Sequence, residues 1–244
     1  MPLFELEESR GALDSRLRVG RKVLSESNSA NERRQALIRI MFNVLSGRNR
    51  NNKSFIRELF NYGCHCYPGG SKNILKSGRG KPLDAIDQYC QQHKICYKCI
   101  NSIFNDGQWK GDESRCNPAE SSYKMIANMS AYSVRCSEDQ NPCRRAICEC
   151  DLNYAQQLTG LDFEANHNPD FLQRNGFDYD SNCVKRGSPS EKVAQCCGDR
   201  NSFPFPQMLT KQKNECCANV AFNSAREECC AENVVARIGK CSQY

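Results

Sequence analysis

Three separated segments gather side chains suited to proton transfer, ion binding and disulfide formation. The first is Tyr62-Gly-Cys-His-Cys66, with Gly69-Gly70 close behind. The second runs Gly80-Lys-Pro-Leu-Asp84-Ala-Ile-Asp87-Gln-Tyr-Cys90-Gln-Gln-His93-Lys94-Ile-Cys96-Tyr97. The third comprises Cys136, Cys143 and Ile147-Cys148-Glu149-Cys150-Asp151. A histidine with a pKa near 6.5 accepts a proton from water at neutral pH. A carboxylate on its second ring nitrogen fixes the tautomer and stabilises the imidazolium. Taken singly, His93 reads as an ordinary helix histidine and Asp151 as a helix surface charge. Chemistry requires a fold that brings them together.

The elements that could do so are helical. Residues 35–46 place Leu37, Ile38, Ile40, Met41, Val44 and Leu45 mostly at helical spacing, and Gly47 ends the run. The face formed by Ile38, Met41, Phe42 and Leu45 reads as core, with an acyl-lining role as the alternative. A short helix is expected over 54–61 and a Gly-, Lys- and Pro-rich loop over 67–83. A long helix is expected from Asp84, its N-cap, to about Ile100. Residues 101–122, with Trp109, read as loop. A second long helix is expected from about Pro142 to Leu158, with Gly160 as its stop. The organisation is thus a flexible arm or propeptide over 1–34, a helical domain over 35–186, and a cystine-rich tail over 187–244 that opens on the Gly187–Ser190 linker. Arg18-Val-Gly-Arg21-Lys22 is a candidate processing site in the arm.

The chain has 244 residues and 18 cysteines, a density near that of disulfide scaffolds and typical of oxidising compartments. Repeated adjacent pairs, Cys196-Cys197, Cys216-Cys217 and Cys229-Cys230, with a last Cys241, suggest a small bridged module whose apolar content could not make a core unaided. They loosely resemble the dicysteine repeats of galaxin-type matrix proteins. The sequons at Asn52 and Asn128 fit glycosylation of a secreted surface. A net charge of +6 favours anionic surfaces without calling for nucleic acid. No stretch is apolar for long enough to span a bilayer, and the first residues do not read as a signal peptide.

Together the three segments resemble the secreted phospholipase A2 family, in order, spacing and residue type, over residues 36 to 183. The resemblance implies an all-α, disulfide-rich fold with two antiparallel helices, His93 on one as general base and Asp151 on the other as its orienting partner. It implies the bridges Cys64–Cys183, Cys66–Cys90, Cys96–Cys150, Cys116–Cys143 and Cys136–Cys148. One further family bridge would join positions held here by Tyr89 and Gln157, so both partners are lost together. Cys99 then has no partner in the domain, and the cysteine count closes if it bonds to the tail.

The family holds calcium through three loop carbonyls and the carboxylate next to the histidine. The carbonyl positions carried over are His65, Tyr67 and Gly69, and the carboxylate position is Lys94. Calcium takes oxygen ligands, and an ammonium offers donors only. Two unit charges about 4 Å apart repel by roughly 4 kcal/mol at an effective dielectric near 20, and a divalent ion feels about twice that. Tyr67 in place of glycine, and a loop lengthened over Ser71–Arg79, point the same way. Without that Lewis acid the His93–Asp151 pair lacks the charge stabilisation an ester oxyanion needs; Lys94 itself is the one candidate substitute. The expectation is a secreted, catalytically impaired module with no metal or cofactor, which binds extracellular proteins or assembles with itself. Two alternatives stand beside it: an active phospholipase A2 that cleaves the sn-2 ester through His93 and Asp151 with weak or no need of calcium, calcium being its one candidate cofactor, and a membrane-disrupting lysine-type toxin. For the last, Lys72, Lys76, Arg79 and Lys81 could meet anionic lipid, although a solvated loop is the plainer reading.

Overall fold

The structure, a computed structural model, describes residues 30–47, 58–59, 61–66, 78–104, 116–118, 121–184, 196–198, 207–208, 213–217, 220–231 and 234–241. Asn52, Tyr67, Gly69, Lys72, Lys76, Trp109, the 187–190 linker and most of the 1–34 arm lie outside the described residues. Of the expected 54–61 helix, Glu58, Leu59 and Asn61 are described; Glu58 and Leu59 are helical, whereas Asn61 is a turn residue with a left-handed φ of 65°, so the helix does not reach it.

Three long helices make the main body: α1 (Ala30–Leu45), α2 (Ala85–Phe104) and α3 (Pro142–Gly160). Helices α2 and α3 start where the sequence offers a cap. Asp84 accepts the Asp87 backbone N–H at 2.8 Å at the head of α2. Asn141 accepts the Arg144 N–H at 2.9 Å, and Pro142 supplies the preset φ of a first helical residue. Gly160 differs from the expected stop: it is the last helical residue, and Leu161 beyond it is extended.

The helices α2 and α3 run antiparallel. Helix α1 packs on them with both sides of its apolar stripe. Leu37, Met41 and Val44 enter one cluster with Tyr97, Ile100, Phe104 and Ile147. Ile38 and Phe42 enter a second with Tyr62, Ile86, Tyr154 and Leu158. Ile38, Met41 and Phe42 are therefore core residues, and Leu45 packs against the core from its edge.

A two-stranded hairpin, β1 (Met125–Asn128) with β2 (Ser133–Cys136), lies against α1 and α3. It departs from the purely helical expectation for the main domain. Met125, Ala127, Val134 and Cys136 face inward, the alternation a half-buried strand requires. Short helices α4 (Phe163–Asn166) and α5 (Tyr179–Asn182) follow α3, with single 3-10 turns at Pro169–Phe171 and Gln173–Asn175 between them.

Nine disulfides tie this frame together. Cys64–Cys183, Cys66–Cys90, Cys96–Cys150, Cys116–Cys143 and Cys136–Cys148 are bonded within the main domain. Cys99 bonds Cys196 and anchors the tail to α2. Between Tyr89 and Gln157, which hold no bridge, the two helices are joined nearby by a Gln157 to Gln92 amide bond of 2.7 Å. Each closed loop of this size contributes roughly 2–4 kcal/mol by restricting the unfolded chain.

The tail consists of antiparallel pairs β3 (Cys196–Cys197) with β4 (Gln207–Met208), β5 (Glu215–Cys217) with β6 (Val220–Phe222), and β7 (Glu227–Cys229) with β8 (Val235–Arg237). Adjacent residues of a strand point to opposite faces. An adjacent cysteine pair can therefore bond in two directions, and these do. Cys196 reaches back to Cys99 while Cys197 reaches on to Cys216; Cys217 reaches Cys229, and Cys230 reaches Cys241. The result is a covalent staircase from α2 to the end of the tail.

Candidate functional site

Helix α2 presents His93 to α3 one turn before Cys96, and α3 presents Asp151 one residue after Cys150. The Cys96–Cys150 bridge fixes the helices in the register that makes the two meet. His93 Nε2 and Asp151 Oδ1 lie 2.6 Å apart, and both side chains are fully shielded from solvent. A carboxylate only accepts, so Nε2–H donates and the neutral ring carries its lone pair on Nδ1. The Tyr97 hydroxyl donates to the same Oδ1, and the Tyr123 hydroxyl donates to Oδ2 at 2.7 Å. Tyr97 lies one turn after His93 on α2, and Tyr123 leads into the β1–β2 hairpin. Three elements thus converge on one carboxylate.

Tyr154, three residues beyond Asp151 on α3, stacks flat on the imidazole with centroids 4.6 Å apart and planes 10° from parallel. Its hydroxyl donates to Cys90 Sγ at 3.0 Å, since a disulfide sulfur has no proton to give. Burial, with Asp87 and Asp151 close by, pushes the Tyr154 hydroxyl well above its ordinary pKa. Tyr97 closes on His93 from another side at 4.5 Å. The imidazole is therefore held in plane and in tautomer.

A second carboxylate, Asp87, organises the loop that precedes α2. It is fully buried and accepts the backbone N–H groups of Cys64 at 3.0 Å, His65 at 2.6 Å and Leu83 at 3.0 Å. Gly63 makes the approach possible. Its φ is +56°, and a Cβ there would lie 2.6 Å from the Asp87 carboxyl carbon. Burial pushes the Asp87 carboxyl up, and the Cys64 and Leu83 amides and the His65 ring pull it back.

Lys94 lies next to His93 and is 3% exposed. Its Nζ has no hydrogen-bond partner among the described residues. Burial pulls its pKa down from 10.5 to about 7, with Asp87 acting against that shift and Lys98 adding to it. Its surroundings are the 61–66 loop and the 78–80 turn. A Cβ on Gly78 would lie 2.8 Å from Lys94 Nζ and 2.8 Å from His65 Nδ1. His65 Nε2 sits 3.1 Å from the Gly80 carbonyl and donates to it, which leaves Nδ1 as an acceptor. Burial holds the His65 imidazole below its ordinary pKa, and the Lys94 charge adds to that. The structure thus brings His65, Asp87 and Lys94 together on one side of His93. Tyr67 and Gly69 lie outside the described residues. Arg79 stacks over Tyr179 at 5.0 Å and pairs with Asp180, so it is engaged within the fold, whereas Lys81 is exposed.

Sequence reasoning did not find Tyr97, Tyr123, Tyr154 or the role of Asp87. Tyr97 and Tyr154 had a usable signal, being one helical turn from His93 and from Asp151 on their own helices. Tyr123 had none, because its hairpin went unrecognised.

A buried histidine–aspartate pair across two disulfide-bridged antiparallel helices resembles the catalytic dyad of a lipid esterase. The family model described as phospholipase A2 matches residues 41–168. This chain belongs to the phospholipase A2 family. It is 32% identical over 110 residues to a phospholipase A2 of Ovis aries, covering 44% of this chain and 75% of that protein. It is 35% identical over 99 residues to acidic phospholipase A2 PLA-1 of Eristicophis macmahoni, covering 41% of this chain and 62% of that one. It is 37% identical over 90 residues to a basic phospholipase A2 homolog of Trimeresurus stejnegeri, covering 37% of this chain and 48% of that one. The chain therefore spans 48–75% of the length of these relatives, and its tail lies beyond the matched family region.

Proposed function

We propose that this chain is a secreted phospholipase A2-like module that has lost calcium-dependent hydrolysis and acts as an extracellular binding or assembly component, through protein partners or its own copies. The observation that carries the reading is the buried Lys94 amine. Where the family resemblance calls for a carboxylate toward a cation, this chain offers a nitrogen that carries no negative charge in either protonation state and has no partner among the described residues. The His65 imidazole at the same point adds a second nitrogen, and neither suits an ion that takes oxygen ligands. The residues present therefore do not fit calcium, and no step is derived through it. The nine disulfides and the cystine tail bonded to α2 support an extracellular, mechanically fixed component.

The intact polar network around His93 favours a second reading, an active phospholipase A2 in which His93 takes a proton from water while Asp151 holds the ring. The two separate by calorimetric titration with calcium and by turnover of phosphatidylcholine vesicles with and without chelator. The expected result is no saturable calcium heat and no chelator-sensitive turnover, with Lys94→Asp gaining calcium binding. Saturable binding and rapid turnover by the natural chain would overturn the assembly reading. Dye release from anionic liposomes, expected to be absent, tests membrane damage as a third outcome.

A further inference from the structure

The Asn128-Met-Ser130 sequon lies at the tip of the β1–β2 hairpin, and we infer that Asn128 carries an N-linked glycan there. The inference rests on the extracellular reading above, because the modification requires passage through the secretory lumen.

A sequon alone says little, since such triplets arise by chance, and a folded chain must also leave room for a bulky, solvated sugar. Four observations meet that requirement. Asn128 is the last residue of β1, and the chain turns over the next four positions before Ser133 pairs back to it. The Asn128 Oδ1 accepts the Ala131 backbone N–H at 2.9 Å. That bond engages the carbonyl oxygen of the side chain and leaves the amide nitrogen, the atom to be modified, outside the turn's own bonding. Ser130, Ala131 and Tyr132 are all exposed, Tyr132 at 57%. Tyr132 holds a left-handed backbone at φ +49° that carries its ring out over Gly47. The inward side chains of the hairpin are Met125, Ala127, Val134 and Cys136, so a substituent on Asn128 displaces none of them from the core.

The step is transfer from a lipid-linked oligosaccharide pyrophosphate. The amide nitrogen bonds to the first sugar carbon, the glycosyl–phosphate bond breaks, the lipid pyrophosphate leaves with the bonding electrons, and the nitrogen gives up one proton. The glycan then keeps this end of the molecule wet. A membrane or protein interface on the main domain would have to lie away from the hairpin tip.

The test is secretion of the full chain from eukaryotic cells, followed by peptide mapping with and without amidase removal of N-glycans. The expected result is a glycan on the peptide containing Asn128, and after removal the mass signature of asparagine converted to aspartate at that position. Ser130→Ala removes the required hydroxyl but keeps the Asn128 to Ala131 bond, so it should fold and be secreted with position 128 bare. Asn128→Gln should behave alike, and Asn52→Gln leaves the modification of Asn128 unchanged. A secreted chain with nine disulfides and an unmodified Asn128 would overturn the inference while leaving the extracellular reading standing. A chain that is retained and never acquires its disulfides would overturn the extracellular reading and this inference with it.

Discussion

His93 and Lys94 are neighbours on α2, and both are almost wholly buried, yet they enter opposite environments. On the His93 side every charge has an answer: Asp151 receives bonds from His93, Tyr97 and Tyr123, and Tyr154 backs the ring. On the Lys94 side the amine has no hydrogen-bond partner among the described residues, and burial together with the Lys94 charge pulls the neighbouring His65 imidazole below its ordinary pKa. One side is a satisfied buried network, which rigidifies a fold. The other is an unsatisfied donor, which costs the full loss of its hydration. Burial is therefore no guide to whether a polar group stabilises this protein; pairing is.

The sharpest way to break the comparison is Asp151→Ala. It strands the His93 N–H and two tyrosine hydroxyls in a site closed to water. The expected loss is about 3–5 kcal/mol, the range for breaking a buried pair by removing one partner. Denaturant unfolding of the disulfide-intact protein measures it. A loss no larger than that of an exposed substitution would mean the network is not closed as described. Tyr123→Phe is the milder version. It removes one bond to a charged acceptor that keeps two others, so about 1.5–3 kcal/mol is expected, with near-ultraviolet dichroism unchanged at the remaining tyrosines.

The satisfied half was legible in the sequence and the unsatisfied half only in part. The family resemblance placed the pair, and the offsets of His93 from Cys96 and of Asp151 from Cys150 agreed with it, because the bridge it implied sets the register of both helices. Tyr123 escaped because β1 and β2 are four residues each, too short for alternation to stand out. The tail strands are two or three residues long and escaped for the same reason, although the cysteine count did foresee the link from Cys99 to the tail. That Lys94 was out of place was readable from its neighbours in the motif. That its amine would lack an acceptor was not, since this depends on how Gly78, Arg79 and Gly80 return past the 61–66 loop.

Lys94→Met sharpens the other side through pH. The folded chain releases the Lys94 proton near pH 7, and the unfolded chain near 10.5. Below pH 7 both states hold it, and the folded state bears the whole cost of a buried charge. Between those values the unfolded state binds more protons, so stability rises with pH by up to about 1.4 kcal/mol per unit. Above 10.5 neither holds it and the cost is gone. The methionine variant has no such slope. It should therefore be more stable than the natural chain at pH 6, with the advantage shrinking steadily toward pH 9.5 in parallel denaturation series. An advantage independent of pH would show that packing, not charge, distinguishes the two.

Gly78→Ala gives the smallest and most local effect. The position has φ +85°, where an L side chain costs about 1–2 kcal/mol. Its new Cβ would also stand 2.8 Å from both Lys94 Nζ and His65 Nδ1. Two causes are thus mixed in one substitution, and a double-mutant cycle with Lys94→Ala separates them. The backbone strain is the same in either background. Crowding of the amine vanishes when the amine is gone. Gly78→Ala should therefore cost less beside Lys94→Ala than alone, with a coupling of about 0.5–1 kcal/mol, in the lower part of the range for residues in contact. Strict additivity would place the amine elsewhere than under the 78–80 turn, and the contrast between the two neighbours on α2 would then lose its structural basis.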